Sequence, residues 1–213
     1  MERTRRKLMD GVYLTYIPER RFKTNILSAQ LITPLEARTA SANALLCAVL
    51  RRGTARRPDM RALSAELDNL YGARIDCMVR KKGENQCVGF VASFIDDHFT
   101  PGGEKLLEPV AELLGDLFCN PATRNGRLIQ DYVRGERTNL VDQIRGQIND
   151  KRTYAAIRLM QEMCGGEAYG VNRLGSEKEA KQITPSKLYQ RYTTLLSSAQ
   201  LELFYCGSAE LRR

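Results

Sequence analysis

The chain has 213 residues, of which 43% are hydrophobic and 27% are charged, a composition typical of a folded protein with one large domain or two small ones. No stretch approaches the roughly 18 consecutive apolar residues that indicate a membrane-spanning helix. Residues 11–17 are too few and too polar for the apolar region of a secretory signal. We therefore predict a cytoplasmic protein without a membrane partner.

The formal net charge of +8 raises the question of a nucleic-acid partner. The basic residues form separated pairs on different predicted elements, without interleaved aromatic residues or a known binding motif: Arg5-Arg6, Arg20-Arg21, Arg51-Arg52, Arg56-Arg57 and Lys81-Lys82. Such scattered pairs are typical of solvated faces or of compensation for an acidic partner. We therefore expect no nucleic-acid partner.

Six cysteines are spread along the chain with no Cys-x-x-Cys pair, so no structural zinc site or redox motif is indicated. Free thiols are the prediction. Cys77 and Cys87 flank a predicted hairpin, which leaves a disulfide between them as an alternative, although a reducing cytosol disfavours it.

Strand-like alternation occurs in five segments: 11–17, 24–33, 73–80, 86–95 and 199–206. We expect the first two segments to pair with each other and the next two to form a hairpin, with Val88, Phe90, Ala92 and Phe94 on one face. The last segment reads as a buried strand.

Helical spacing of apolar residues, with Gly and Pro as boundary signals, predicts helices over about 40–52, 58–71, 106–118, 124–149, 151–163 and 185–196. Ser176 begins a short helix, because Ser-Glu-Lys-Glu has the spacing of a capping box. The predicted fold class is α+β, an α/β sandwich in which a mostly antiparallel sheet packs against helices.

The segment 43–54 reads Asn-Ala-Leu-Leu-Cys-Ala-Val-Leu-Arg-Arg-Gly-Thr. It resembles the inverted zinc motif of the insulinase/pitrilysin (mitochondrial processing peptidase-like) metallopeptidases, His-x-x-Glu-His followed by Gly-Thr. The resemblance puts Ala44 and Ala48 at the two histidine positions and Cys47 at the position of the general base. Alanine methyl groups cannot bind zinc.

Residues 136–144, which begin with Glu-Arg-Thr-Asn, resemble the helix that carries the family's third zinc ligand, a glutamate. Asp142 or Gln143 occupies its place. The resemblance therefore implies no catalytic residues and no zinc cofactor. A cysteine peptidase would need a base beside the Cys47 thiol, and the one histidine of the sequence, His98, is expected in a surface loop.

Leu70-Tyr71-Gly72 and the hairpin after it resemble the family's Gly-Gly segment, whose downstream asparagine helps to hold substrate. Ile75 and Asp76 occupy the positions of the family's Asn-Ala pair. Residues 74–77 (Arg74, Ile75, Asp76 and Cys77) are nevertheless the candidate peptide-binding residues. An exposed edge of the 74–79 or 87–91 strand would pair with an extended peptide.

The resemblance covers essentially the whole chain and is nearest to the inactive, bacterial YmfF-like subgroup, whose members carry two homologous domains. It implies a single N-terminal metallopeptidase-like domain over residues 1–208, with 209–213 as the start of a linker to a second domain outside the chain.

The implied function is that of a non-catalytic subunit. It would form a heterodimer with an active zinc-peptidase homologue, contact its own C-terminal domain, and help to enclose a peptide substrate. Two alternatives remain open: a zinc metalloendopeptidase with displaced ligands, and a translation-linked binding module. A zinc-binding assay distinguishes the first alternative from the non-catalytic subunit. Salt-sensitive binding to nucleic acid would favour the second alternative.

Overall fold

The computed structural model of the chain describes residues 3–210. Within this range the β-strands are Thr4–Met9 (β1), Val12–Pro18 (β2), Thr24–Pro34 (β3), Arg74–Lys82 (β4), Asn85–Ile95 (β5), Thr123–Arg124 (β6), Arg127–Leu128 (β7) and Gln200–Gly207 (β8). The α-helices are Ala37–Leu50 (α1), Met60–Asn69 (α2), Leu107–Cys119 (α3), Gln130–Gly146 (α4), Lys151–Met163 (α5), Glu177–Lys181 (α6) and Pro185–Ser198 (α7). None of these helices combines the length and apolar composition needed to cross a bilayer.

Six strands form one sheet in the order β1-β2-β8-β3-β5-β4. Only β2 and β8 run parallel, so the predicted, mostly antiparallel α+β sandwich is confirmed. The prediction that the strands at 11–17 and 24–33 pair with each other is wrong. Strand β8 lies between them, with Leu203 opposite both Leu14 and Ala29.

A strand that the sequence analysis missed, β1, forms a hairpin with β2 at the edge of the sheet. Met9 pairs with Val12 across Asp10-Gly11, and Gly11 has a φ of +74°, which glycine adopts without a steric penalty. Asp-Gly between two runs is a strong hairpin signal. The basic residues of β1 concealed it, since only one of its residues is not fully exposed.

The core lies between the sheet and the helices. Val88, Phe90, Ala92 and Phe94 of β5 are all buried on one face, as predicted. Phe90 makes an edge-to-face contact with Phe118 of α3, with ring centroids 4.9 Å apart. Helix α1 is buried on nearly all sides because the sheet, α4, α6 and α7 surround it.

The helix predicted over 124–149 is wrong at both ends. Asn125 and Gly126 have φ values of +52° and +68°, which end any helix and close the small β6–β7 hairpin. Helix α4 starts only at Gln130, and a 3-10 turn over Gln147–Asn149 separates it from α5. Helix α5 itself has the predicted bounds, since the Asp150 side chain caps the N–H of Thr153.

All six cysteines are free, as predicted. In the β4–β5 hairpin Cys77 pairs with Phe90 and Cys87 pairs with Arg80, so the two cysteines do not face each other. The alternative of a Cys77–Cys87 disulfide therefore does not fit this register.

Candidate functional site

Helix α1 and the turn after it are fixed by close packing. The helix stops at Leu50, and an added Cβ at Gly53 would lie 2.6 Å from the Pro58 backbone. Thr54 is fully buried, and its N–H donates to the Arg57 carbonyl at 2.7 Å. The Gly-Thr pair after the motif therefore has a structural role, because it holds the chain close to the start of α2.

Ala44 and Ala48, one turn apart on α1, open onto a pocket of about 290 Å³. Leu45 of α1 also lines it, and the other walls come from β4, α4 and the segment before α6: Cys77, Val79, Glu136, Asn139, Leu140, Gln143, Arg173 and Leu174. The four α4 residues follow the spacing i, i+3, i+4 and i+7, which places them on one face of the helix.

The structure thus brings Gln143 together with Ala44 and Ala48. Asp142, the other candidate for the third ligand position, is exposed and lies outside the pocket lining. Cys47 is also outside the lining and belongs to the core, with 2% of its surface exposed. Burial raises the pKa of the Cys47 thiol well above its usual value, so the sulfur stays protonated and is a poor nucleophile and ligand.

Glu136 is the carboxylate of the pocket and is already hydrogen-bonded. It accepts from Nη1 of Arg52 at 3.2 Å and from Nδ2 of Asn139 at 3.1 Å. The Arg52 guanidinium also lies over the ring of Tyr132, 5.3 Å from its centroid. The acid is therefore held against the pocket wall by a neighbouring cation.

Strand β4 is the edge of the sheet beside this pocket. The Ile75 carbonyl accepts from Nε of Arg51 at 2.5 Å, and the Val79 carbonyl accepts from Nη1 of Arg173 at 3.1 Å. Both carbonyls thus point away from β5. Because backbone direction repeats every two residues, Cys77 also turns its N–H and C=O outward, between the two arginines.

The other proposed edge, residues 87–91, is wrong as an edge. Strand β5 lies between β3 and β4, so its backbone groups are used on both sides. Of the candidate peptide-binding residues, Arg74 and Asp76 are exposed, whereas Ile75 is fully buried and contributes only its backbone.

No family model matches the sequence. Over 200 residues the chain is 30% identical to the "Probable inactive metalloprotease YmfF" of Bacillus subtilis, an alignment that covers 94% of this chain and 47% of that protein. The chain is therefore a homologue of a probable inactive metalloprotease, in agreement with its resemblance to the insulinase/pitrilysin peptidases, and it spans about half the length of that relative.

Solved structures of other proteins have the same fold as this chain. A conserved protein from Enterococcus faecalis superposes with a TM-score of 0.90 at 24% identity, over 98% of this chain and 49% of that chain. The "peptidase M16 inactive domain" from Pseudomonas fluorescens superposes with a TM-score of 0.71 at 15% identity, over 99% of this chain and 47% of that chain. These likenesses concern the fold alone.

The side chains that line the Ala44–Ala48 pocket do not fit a catalytic zinc. Such a zinc needs three protein ligands and an open position. The lining offers one carboxylate already paired with Arg52, one thiol that donates to the Cys47 carbonyl at 3.3 Å, and two amide side chains, Asn139 and Gln143. Across residues 3–210 no group of three His, Cys, Asp or Glu side chains could hold a metal ion.

His98 lies in a 3-10 turn after β5, with an exposed ring whose Nδ1 is 2.6 Å from Oδ1 of Asp96. It does not line the pocket, so no thiol–imidazole pair with Cys47 forms there. The sequence analysis assigned no role to the two charged residues of the pocket, Glu136 and Arg173. The α4 spacing could have placed Glu136 beside Gln143, whereas no sequence pattern connects Arg173 with β4.

Proposed function

We propose that this chain is a non-catalytic, peptide-binding module of an insulinase-family assembly. The observation that carries this proposal is a single juxtaposition. The resemblance puts Ala44 and Ala48 at two of the family's zinc-ligand positions and Asp142 or Gln143 at the third. Ala44, Ala48 and Gln143 share a pocket that borders a sheet edge whose backbone groups face outward at Cys77.

The first element of the proposal is that the chain binds no zinc. An alternative with displaced ligands would need a new donor set, and the one carboxylate of the pocket is held by Arg52. The test is the metal content of the purified chain by mass spectrometry after incubation with zinc and desalting. We expect no stoichiometric zinc; one tightly held zinc per chain would overturn this element.

The second element is that β4 pairs with an extended peptide by β-augmentation. An exposed edge strand offers free N–H and C=O groups, and those of Cys77 lie between two arginine side chains. Arg74, Arg80 and Lys82 on the same strand are exposed and positive. Their charge favours an acidic peptide over a basic one.

Binding of a short fluorescein-labelled peptide of alternating aspartate and valine tests this element by anisotropy. Cys77→Pro removes the outward N–H at a position where an edge strand tolerates proline. We expect it to weaken binding about fivefold, as for the loss of about 1 kcal/mol of hydrogen bonding.

The matched control is Cys77→Ala, which keeps the N–H and loses only the thiol. We expect it to bind like the wild type. Equal affinity of all three proteins would show that β4 is not the peptide site, and far-ultraviolet circular dichroism of each variant verifies that the sheet is intact.

The third element is a partner, which we propose is an active homologue that forms a cytoplasmic heterodimer with this chain, together with the second half of the family fold. The chain spans about half of its relatives, and the face of the sheet opposite the core carries apolar side chains such as Phe204 and Ile26, the latter 41% exposed. Parallel strands such as β2 and β8 are usually covered on both faces.

Co-expression with the active insulinase-family homologue from the same genome tests the partner. We expect the two proteins to co-purify as a one-to-one complex by size-exclusion chromatography with light scattering. Separate elution at micromolar concentration would remove the heterodimer from the proposal and leave the peptide-binding element standing.

A further inference from the structure

A second pocket, beside the first half of α1, contains an arginine with a fixed orientation. Arg191 on α7 is half-buried, and its Nε donates to Oδ1 of Asn43 at 2.7 Å. Its Nη2 lies 3.4 Å from Oγ1 of Thr33. Both acceptors are neutral, so they orient the guanidinium without neutralising it.

The side-chain amide of Asn43, which accepts from Arg191, is itself held in one orientation by hydrogen bonds. Asn43 is fully buried, and its Nδ2 donates to Oε1 of Gln86 at 2.7 Å. Gln86 is also fully buried, and its Nε2 donates to the carbonyls of Ala40 and Arg173 at 3.0 and 2.6 Å. Since both amides are satisfied on the oxygen and nitrogen sides, neither can turn to offer Arg191 a different partner.

The Arg191 guanidinium is partly desolvated and forms no ion pair within the described residues. Within residues 3–210 no carboxylate lies at ion-pair distance from its guanidinium or from the ammonium of Lys187. Glu36 is the carboxylate that attracts Arg191, but its side chain pairs with Arg38 at 2.8 Å instead. Burial lowers the pKa of Arg191, and the attraction of Glu36 offsets only part of this effect.

The free side of the guanidinium opens into a pocket of about 300 Å³ between α1, α6 and α7. Lys187 and Arg191 bring two positive charges to its lining and Glu179 brings one negative charge, while Arg38 is neutralised by Glu36. One positive charge is therefore in excess. The side-chain amides of Gln182 and Gln190 add neutral hydrogen-bonding groups.

We propose that this pocket binds the carboxylate group of a small ligand, through Nη1–H and the second Nη2–H of Arg191 and through Nζ of Lys187. The planar guanidinium fork matches a carboxylate in a bidentate arrangement. One excess positive charge balances a monoanion and would leave half of a phosphate dianion uncompensated. The volume lies at the lower limit for ligand pockets, so it suits a small organic acid or the terminal carboxylate of a peptide.

Titration of the isotope-labelled 213-residue chain with N-acetylglycine, followed by NMR, tests the site. We expect saturable shifts of the backbone amides of Gln182 and Thr194, which line the pocket. Lys187→Gln is expected to weaken binding about threefold, and Arg191→Lys about tenfold, because lysine cannot reproduce the bidentate fork.

Lys178→Gln is the matched control, since it removes the same charge from an exposed position of α6 outside the pocket. It should bind like the wild type. Lys187 is exposed as well, so Lys187→Gln remains informative even if Arg191→Lys disturbs the Asn43 amide.

Three results would overturn the assignment: no saturable shift, equal binding of N-acetylglycinamide, which has no carboxylate, or tighter binding of inorganic phosphate. Acetate and an acetylated dialanine then identify the source. Tighter binding of the dialanine supports the carboxyl end of a peptide, and equal binding supports a free small acid. Both of these outcomes support the carboxylate site.

Discussion

The guanidinium of Arg173 donates a hydrogen bond to the Val79 carbonyl, 3.1 Å away, and so occupies the edge of β4 where a peptide would pair. Arg173 also lines the pocket of Ala44 and Ala48. One side chain therefore contacts both parts of the candidate site. A peptide that paired with β4 at Val79 would have to displace this side chain from the strand edge.

Removing this competitor should strengthen peptide binding. In Arg173→Gln the Val79 carbonyl becomes available, and we expect the affinity for the acidic peptide to rise about fivefold, as for a net hydrogen bond of about 1 kcal/mol. Fluorescence anisotropy measures the change. Arg124→Gln, on the β6–β7 hairpin, removes the same charge elsewhere and should leave the affinity unchanged. Weaker binding by Arg173→Gln would mean that the arginine contacts the peptide directly.

The geometry of the pocket lined by Ala44, Ala48 and Gln143 predicts that a zinc site can be built there. The triple variant Ala44→His, Ala48→His, Gln143→Glu places two imidazoles and a carboxylate around one pocket, and we expect about one zinc per chain by mass spectrometry. The control carries both histidines with Asp142→Glu instead of Gln143→Glu. Since residue 142 lies outside the pocket lining, the control should hold zinc much more weakly. Equal zinc in the two proteins would contradict the placement of Gln143.

Two glycine substitutions should change stability in opposite directions. An added Cβ at Gly89 in β5 would lie 2.0 Å from the Ala29 carbonyl oxygen, so Gly89→Ala must displace backbone and should cost about 2 kcal/mol or more. Gly115 in α3 has nothing within 4 Å of that position, so Gly115→Ala should stabilise by about 0.5–1 kcal/mol. Urea unfolding gives both values, and destabilisation by Gly115→Ala would contradict the prediction.

The contact between α4 and α6 predicts an acid-sensitive stability. Glu177 accepts from Nη2 of Arg145 at 2.5 Å and pairs with Lys181 at 2.6 Å, which lowers its pKa from 4.5 to about 2. Since the folded-state pKa is the lower one, the ionised carboxylate stabilises the fold above about pH 4.5, and this contribution is lost as the pH falls towards 2. Glu177→Gln should therefore flatten the dependence of Tm on pH in that window, whereas the surface variant Glu167→Gln should not.

The sequence predicts local structure well where one short-range signal acts alone. Asp150 caps α5 and Thr184 caps α7, and both helices begin at the predicted residues. The long helix over 124–149 was wrong because apolar spacing was followed through Asn125-Gly126, although these residues adopt positive φ values. The pairing of β2 and β3 was wrong because β8, which separates them, lies far along the chain.

The candidate site was likewise predictable from local sequence signals but not from long-range contacts. The resemblance put Ala44, Ala48 and one residue of segment 136–144 at the family's three ligand positions, and Ala44, Ala48 and Gln143 line one pocket. The choice between Asp142 and Gln143 depends on the phase of α4, which only packing against α1 fixes. The contact of Arg173 with Val79 joins residues 94 positions apart, and neither residue carries a periodic signal for it.

The position of β8 between β2 and β3 has a consequence for folding kinetics. The hairpin of β1 and β2 has no partner in the sheet other than β8, so it stays detached until residues 200–207 have left the ribosome. Until then the nascent chain exposes the open edges of β2 and β3, which invites aggregation. Closure of the sheet must wait for this late, long-range pairing, so the domain should fold slowly for its size.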